Sequence, residues 1–145
     1  MNNSVCRAKD KNGRWHYGYY VRHETRQPCI IGDNLKDDEI NHYLFYDGFA
    51  DWNMPRELKY VEVDPKTVGR FSGMYDKSGV RIFEDDIVMK RTRDGMQPCH
   101  VTFSNGCFHC GFGGGSSTAS HPYLLDDKNI RVIGNMFDDL DLSGV

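Results

Sequence analysis

The segment 68–90, VGRFSGMYDKSGVRIFEDDIVMK, carries two apolar, β-branched runs with a turn between them. The turn is Asp76-Lys77-Ser78-Gly79, with Asp first, Ser third and Gly fourth, the order a type I turn favours. Short runs flanking such a turn predict a pair of strands. An acidic cluster, Glu84-Asp85-Asp86, then leads into Ile87-Val88-Met89. The segment offers no evident nucleophile or metal cage, so it speaks for a fold more than for a reaction.

The rest of the chain repeats this grammar of short strands and turns. Val5–Lys9 and the aromatic run Arg14–Val21 flank Asp10-Lys11-Asn12-Gly13 and predict a hairpin. Cys29-Ile30-Ile31 predicts a short buried strand, and Leu35–Asn41 a loop or one helical turn. Tyr43–Tyr46 and Tyr60–Val63 predict further strands, the first followed by the hairpin-type dipeptide Asp47-Gly48. Pro55 breaks the stretch between them, and Asp64-Pro65 marks a turn or a boundary between lobes. Around Asn105-Gly106, a two-residue turn sets Ser104 opposite Cys107, Phe103 opposite Phe108, Thr102 opposite His109 and Val101 opposite Cys110. That register puts Cys99, Val101, Phe103, Phe108, Cys110 and Phe112 on one face, and His100, Thr102, Cys107 and His109 on the other. Ile130–Ile133 is the last strand. Fifteen Gly and 12% aromatic residues agree with turn-rich β structure. The expected fold is all-β, with an N-terminal β lobe over 1–64 and a small SH3-like β-barrel over 65–145.

Charge and cysteine usage narrow the function classes. A net charge of -3 gives no general attraction to nucleic acid or to an anionic membrane. No apolar run is long enough to span a membrane, and the first residues, MNNSVCRAKDKNG, lack the apolar core of a signal peptide. Five Cys is an odd number for a disulfide framework. A cytoplasmic protein with free thiols and no membrane partner is expected.

Four groups of residues are candidates for chemistry. Trp15, Tyr17 and Tyr19 alternate along one strand face, with His16, Gly18 and Tyr20 on the other, and Trp15, Tyr17, Tyr19 and Tyr20 are the candidate binding surface. His100, Cys107 and His109, with His121 from the following loop, are the candidate zinc ligands. Cys107 and Cys110 differ by an odd number, so a regular strand sends them to opposite faces. No cofactor is otherwise expected. Glu84-Asp85-Asp86 could serve acid/base or Mg²⁺ chemistry, but Asp86 is expected as a turn carboxylate accepting backbone N–H bonds. The run Gly113-Gly114-Gly115-Ser116-Ser117 lacks the Gly-Lys-Ser/Thr ending of a phosphate loop and is expected as a plain loop.

These pieces resemble the YopX-like proteins of phages and prophages. The resemblance is carried by Asp64-Pro65, Thr67-Val68-Gly69, Phe71-Ser72-Gly73, Asp76-Lys77-Ser78-Gly79, Ile82-Phe83-Glu84 and Asp86-Ile87-Val88. Val132-Ile133-Gly134-Asn135 resembles the closing motif, and Arg7-Ala8-Lys9 with Trp15-His16-Tyr17-Gly18-Tyr19 the opening. Asp85 stands where the family commonly has Gly; Asp tolerates positive φ better than most residues. The resemblance implies a small all-β module with an SH3-like C-terminal part and supplies no catalytic residues. Asp76, Gly79, Asp86, Gly134 and Asn135 are then expected to specify fold. The chain is expected to be non-enzymatic and to bind a protein partner or itself, within the host cytoplasm, as a host-takeover or counter-defence inhibitor would. Nucleic-acid binding by a small β-barrel is the alternative, and a metal- or thiol-dependent enzyme the third reading.

Overall fold

Asp10 starts the first turn by bonding its own neighbourhood. Its carboxylate accepts the N–H groups of Asn12 (2.8 Å) and Arg14 (3.0 Å), and its carbonyl accepts that of Gly13 (3.0 Å). In the computed structural model, which describes residues 5–92, 95–104, 106–111, 123–124 and 129–138, this turn joins β1 (Cys6–Lys9) to β2 (Trp15–Glu24). The other strands are β3 (Ile40–Asp47), β4 (Leu58–Glu62), β5 (Gly69–Tyr75), β6 (Arg81–Phe83), β7 (Asp86–Thr92), β8 (Gly95–Ser104), β9 (Cys107–Gly111), β10 (Tyr123–Leu124) and β11 (Arg131–Asn135). The only helical pieces among the described residues are two 3₁₀ turns, Asp37–Glu39 and Pro65–Thr67. The fold is mostly β, in two antiparallel sheets. No helix among the described residues is long and apolar enough to cross a membrane.

The chain divides into two compact units, Met1–Arg70 and Phe71–Val145, and the turn at Asp64-Pro65 lies inside the first. In that unit the strands run in the order β4-β3-β2-β1-β5. β2 is shared by halves: Trp15 to Gly18 pair with β1, and Tyr19 to Glu24 pair with β3. Asp64 caps the 3₁₀ turn by accepting the N–H of Lys66 (3.0 Å), and the Asp64 N–H reaches back to the Lys9 carbonyl (2.8 Å). Thr67 completes the tie by accepting the Lys9 N–H on its hydroxyl (2.8 Å). Cys6, Ala8, Leu44 and Val63 form the core, with Tyr20, Val61 and Val68 packed on it. Each fully buried aliphatic side chain of this kind contributes about 1.5–3 kcal/mol.

The second unit carries β6 paired with the end of β5, and a sheet in the order β10-β9-β8-β7-β11. Its core is Ile82, Val88, Cys99, Val101, Cys110 and Ile130, flanked by Met74, Phe108 and Val132. The β8–β9 register is Val101↔Cys110, Thr102↔His109, Phe103↔Phe108 and Ser104↔Cys107, the pairing the Asn-Gly turn predicts.

Two local expectations are corrected. Cys29-Ile30-Ile31 is an exposed loop: Ile30 and Ile31 are 102% and 90% accessible. Arg26 organises that loop instead, donating to Asp33 (2.7 and 3.0 Å) and to Glu39 (2.8 and 3.2 Å). β3 already has β2 on one edge and β4 on the other, so the short run finds no edge there to join. Asp47-Gly48 is not a tight hairpin turn either. The Gly48 N–H donates to the Glu57 carbonyl (2.7 Å), so the loop between β3 and β4 is closed across residues 49–56.

Candidate binding surface

Antiparallel pairing turns the alternation of β2, β3 and β4 into rows of side chains on the outer face of the N-terminal sheet. Tyr19 faces Phe45, which faces Tyr60; Val21 faces Tyr43, which faces Glu62; Asp47 faces Leu58. The rings of Tyr43, Phe45 and Tyr60 touch, with centroids 5.3 Å (Tyr43–Tyr60), 5.7 Å (Phe45–Tyr60) and 6.3 Å (Tyr43–Phe45) apart. Those separations lie in the favourable range for aromatic pairs. Val21, His23, Tyr43, Phe45 and Tyr60 line a shallow groove of about 250 Å³. Tyr17, Tyr19, Val21, Leu58 and Tyr60 are exposed, Tyr60 by 64%. Contiguous apolar exposure of this kind makes the face a candidate interaction surface.

Of the four aromatic residues expected on the surface, Tyr17 and Tyr19 lie on the outer face and stay accessible. Trp15 is engaged from β1: the Arg7 guanidinium sits 4.7 Å and the Lys9 ammonium 5.2 Å from its ring, both within cation–π range. Tyr20 is a correction. Strand alternation sends it to the inner side, where Leu44 and Val61 follow it in the same row. Its hydroxyl lies 2.6 Å from His42 Nδ1, and the two rings stack at 6.0 Å. Burial pushes the Tyr20 phenol above its ordinary pKa.

Sequence reasoning missed Tyr43, Phe45, Leu58 and Tyr60 as surface residues. Their i, i+2 spacing was visible, but only the pairing of β3 with β2 and β4 assigns them to the face that carries Tyr19. Gly18 makes that pairing possible. A Cβ there would lie 2.2 Å from the Phe45 carbonyl oxygen, far inside van der Waals contact.

The candidate zinc ligands are not assembled. His100 Nε2 donates to Asp85 Oδ1 (3.0 Å), and His109 Nε2 hydrogen-bonds the Ser104 hydroxyl. Cys107 is exposed beside Ser104, and His121 lies outside the described residues. Among the described residues no group of three His, Cys, Asp or Glu could hold a metal ion. Cys99 and Cys110 are buried in the core. Hydrogen bonding to the Cys110 thiol, then burial, pushes the Cys99 thiol far up, so it stays protonated. The phosphate-loop candidate 113–117 also lies outside the described residues.

Two carboxylates of the C-terminal unit, Asp76 and Asp86, accept backbone N–H groups. Asp76 Oδ1 accepts the N–H groups of Ser78 (2.8 Å) and Val80 (2.9 Å), while Oδ2 accepts that of Val132 in β11 (3.1 Å). Gly79 closes the turn at φ 82° and donates to the Asp76 carbonyl (3.0 Å). Asp86, 1% exposed, accepts the Phe83 N–H on Oδ2 (2.8 Å). Asp85 adopts φ 68° and is anchored through its backbone to Val101 and Met136. Gly134 and Asn135 pair with Ile87 and Asp86, and the Asn135 side chain accepts the N–H groups of Phe137 and Asp138 (both 2.9 Å). Backbone-bonded carboxylates in tight turns hold strands in place.

A family model described as YopX protein matches residues 20–142 of the chain. No curated protein matches it.

Proposed function

The chain belongs to the YopX protein family, and we propose that it is a non-enzymatic binding module whose outer aromatic face takes another protein. The carrying observation is the row of exposed Tyr19, half-buried Phe45 and exposed Tyr60, with half-buried Tyr43 beside it, held by a one-sided core that lies on the opposite face. Aromatic residues with few internal rotations lose little entropy when they are covered, which suits them to recognition. Asp47 and Glu62 stand on the same face at the ends of these rows. Arg56 lies 3.8 Å from Asp47, so Glu62 is the acid this face offers, which favours a basic group at one edge of an otherwise apolar partner patch. Basic rims are common on nucleic-acid-handling proteins, so a phage-encoded inhibitor acting in the bacterial cytoplasm fits this chemistry. For the C-terminal unit, the antiparallel β7–β8–β9 meander and the bulge between Val132 and Gly134 are the features that favour an SH3-like arrangement.

Capture from a bacterial lysate by the immobilised chain, compared with a Tyr19→Lys/Tyr60→Lys variant, tests the proposal. The wild type should retain proteins that the variant loses, while the two melt at the same temperature. Equal capture by both would sink it, as would a wild type that captures nothing and sediments as a monomer. A single-stranded oligonucleotide titration separates the nucleic-acid alternative: saturable, salt-sensitive binding lost in the same variant would reassign the face.

A further inference from the structure

The C-terminal unit contains a second concave feature, a cavity of about 540 Å³ lined by Lys77, Met89, Arg91, Gly95, Met96, Asn129 and Arg131. Its volume falls within the roughly 300–1,000 Å³ typical of small-molecule sites. Strand pairing builds it. Met89 of β7 faces Arg131 of β11, and Arg91 of β7 faces Met96 of β8, so two guanidinium groups and two thioethers share one side of three adjacent strands. Lys77 comes from the Asp76 turn, and its N–H donates to the Ile130 carbonyl (3.0 Å), which fixes that turn beside the start of β11.

The electrostatics of this cavity run against those of its surroundings. From Phe71 onward the chain holds more Asp and Glu than Lys and Arg. Yet three cations, and no acidic residue among the described ones, line the cavity. Asp76, next to Lys77 in sequence, has both carboxylate oxygens engaged by backbone N–H groups. Lys77 and Arg91 form no ion pair among the described residues. Two such cations beside one concavity favour an anion between them. Guanidinium groups suit a phosphate in particular, because their forked donors match its oxygens. Met89 is nearly buried at the floor and Met96 is exposed at the rim. Thioethers pack well against the edge and face of a flat ring.

From this juxtaposition we infer that the cavity binds a small phosphate ester with an aromatic body, of the nucleoside monophosphate class. Lys77 and Arg91 hold the phosphate, and Met89 and Met96 contact the ring. The site is separate from the aromatic face of the N-terminal sheet and does not depend on its role.

Calorimetric titration of the full chain with adenosine 5′-monophosphate tests the inference, with inorganic phosphate and adenosine as the separated parts. The nucleotide should bind saturably and more tightly than phosphate alone, and more weakly as salt rises. A Lys77→Gln/Arg91→Gln variant should lose roughly tenfold or more in affinity, with an unchanged melting temperature, since both side chains are exposed. Met96→Ala should weaken the nucleotide and leave phosphate unaffected. Absence of saturable binding by either anion, or equal affinity in the double variant, would overturn the site. Equal affinity for phosphate and nucleotide would overturn the assignment of the methionines to a ring.

Discussion

Gly18 and Phe45 meet more closely than any side chain would permit. With the projected Cβ 2.2 Å from a backbone oxygen, no rotamer can relieve the contact, and the strand itself must move. Gly18→Ala is therefore expected to destabilise the chain by about 3 kcal/mol, at the upper end of ordinary overpacking, measured by urea denaturation. Asp10 sets a pH dependence. Its hydrogen bond to His16 (2.8 Å), with backbone donors from Arg14 and Asn12, holds the carboxyl down at about 2. A depressed carboxyl stabilises the fold fully above its ordinary pKa of 3.8, and that contribution disappears as the pH falls through about 2. Asp10→Asn should thus lower stability at pH 6 and reduce the loss between pH 4 and pH 2, read from denaturation midpoints. At this scale much was legible. Asp76 and Gly79 announce their turn by residue type, and Asp is among the few residues that suit the positive φ found at position 85. Alternation alone puts Tyr20 on the face opposite Tyr17 and Tyr19, and only the pairing with Leu44 shows that this is the inner face.

Strand registers were legible where a turn dictates them and illegible where distance does. The Asn-Gly turn determines the β8–β9 pairing, and with it the buried face of Cys99, Val101 and Cys110. Nothing local tells that β2 gives its first half to β1 and its second half to β3. For the same reason Tyr43, Phe45 and Tyr60 could be assigned to strands but not to a common surface. Ile30 and Ile31 looked buried because apolar residues usually are. Their segment is instead pinned by Arg26 to Asp33 and Glu39, which leaves the two side chains in solvent. The hairpin faces predict thiol reactivity. At mildly alkaline pH, iodoacetamide should modify the exposed Cys29 and Cys107 in the native chain and spare Cys6, Cys99 and Cys110. Peptide mass mapping reads the pattern, and modification of Cys99 at the rate of Cys107 would contradict the buried face.

On the scale of the whole molecule, each unit has its own apolar core, and the surfaces of interest divide between them. The N-terminal unit exposes aromatic rings with Glu62 at one edge, whereas the C-terminal unit gathers cations around a cavity. Fold class was readable because short strands and turn residues leave few alternatives. Function was not, because a working surface is assembled from strands far apart in sequence and has no motif of its own. The central claim is that the outer face of the N-terminal sheet meets another protein. A photo-crosslinking amino acid placed at Tyr60, and in parallel at the exposed Val80 of the other unit, tests it in bacterial cells made to express the protein. The account predicts a discrete higher-mass adduct from position 60 and none from position 80. Adducts from neither position, or equally from both, would contradict it.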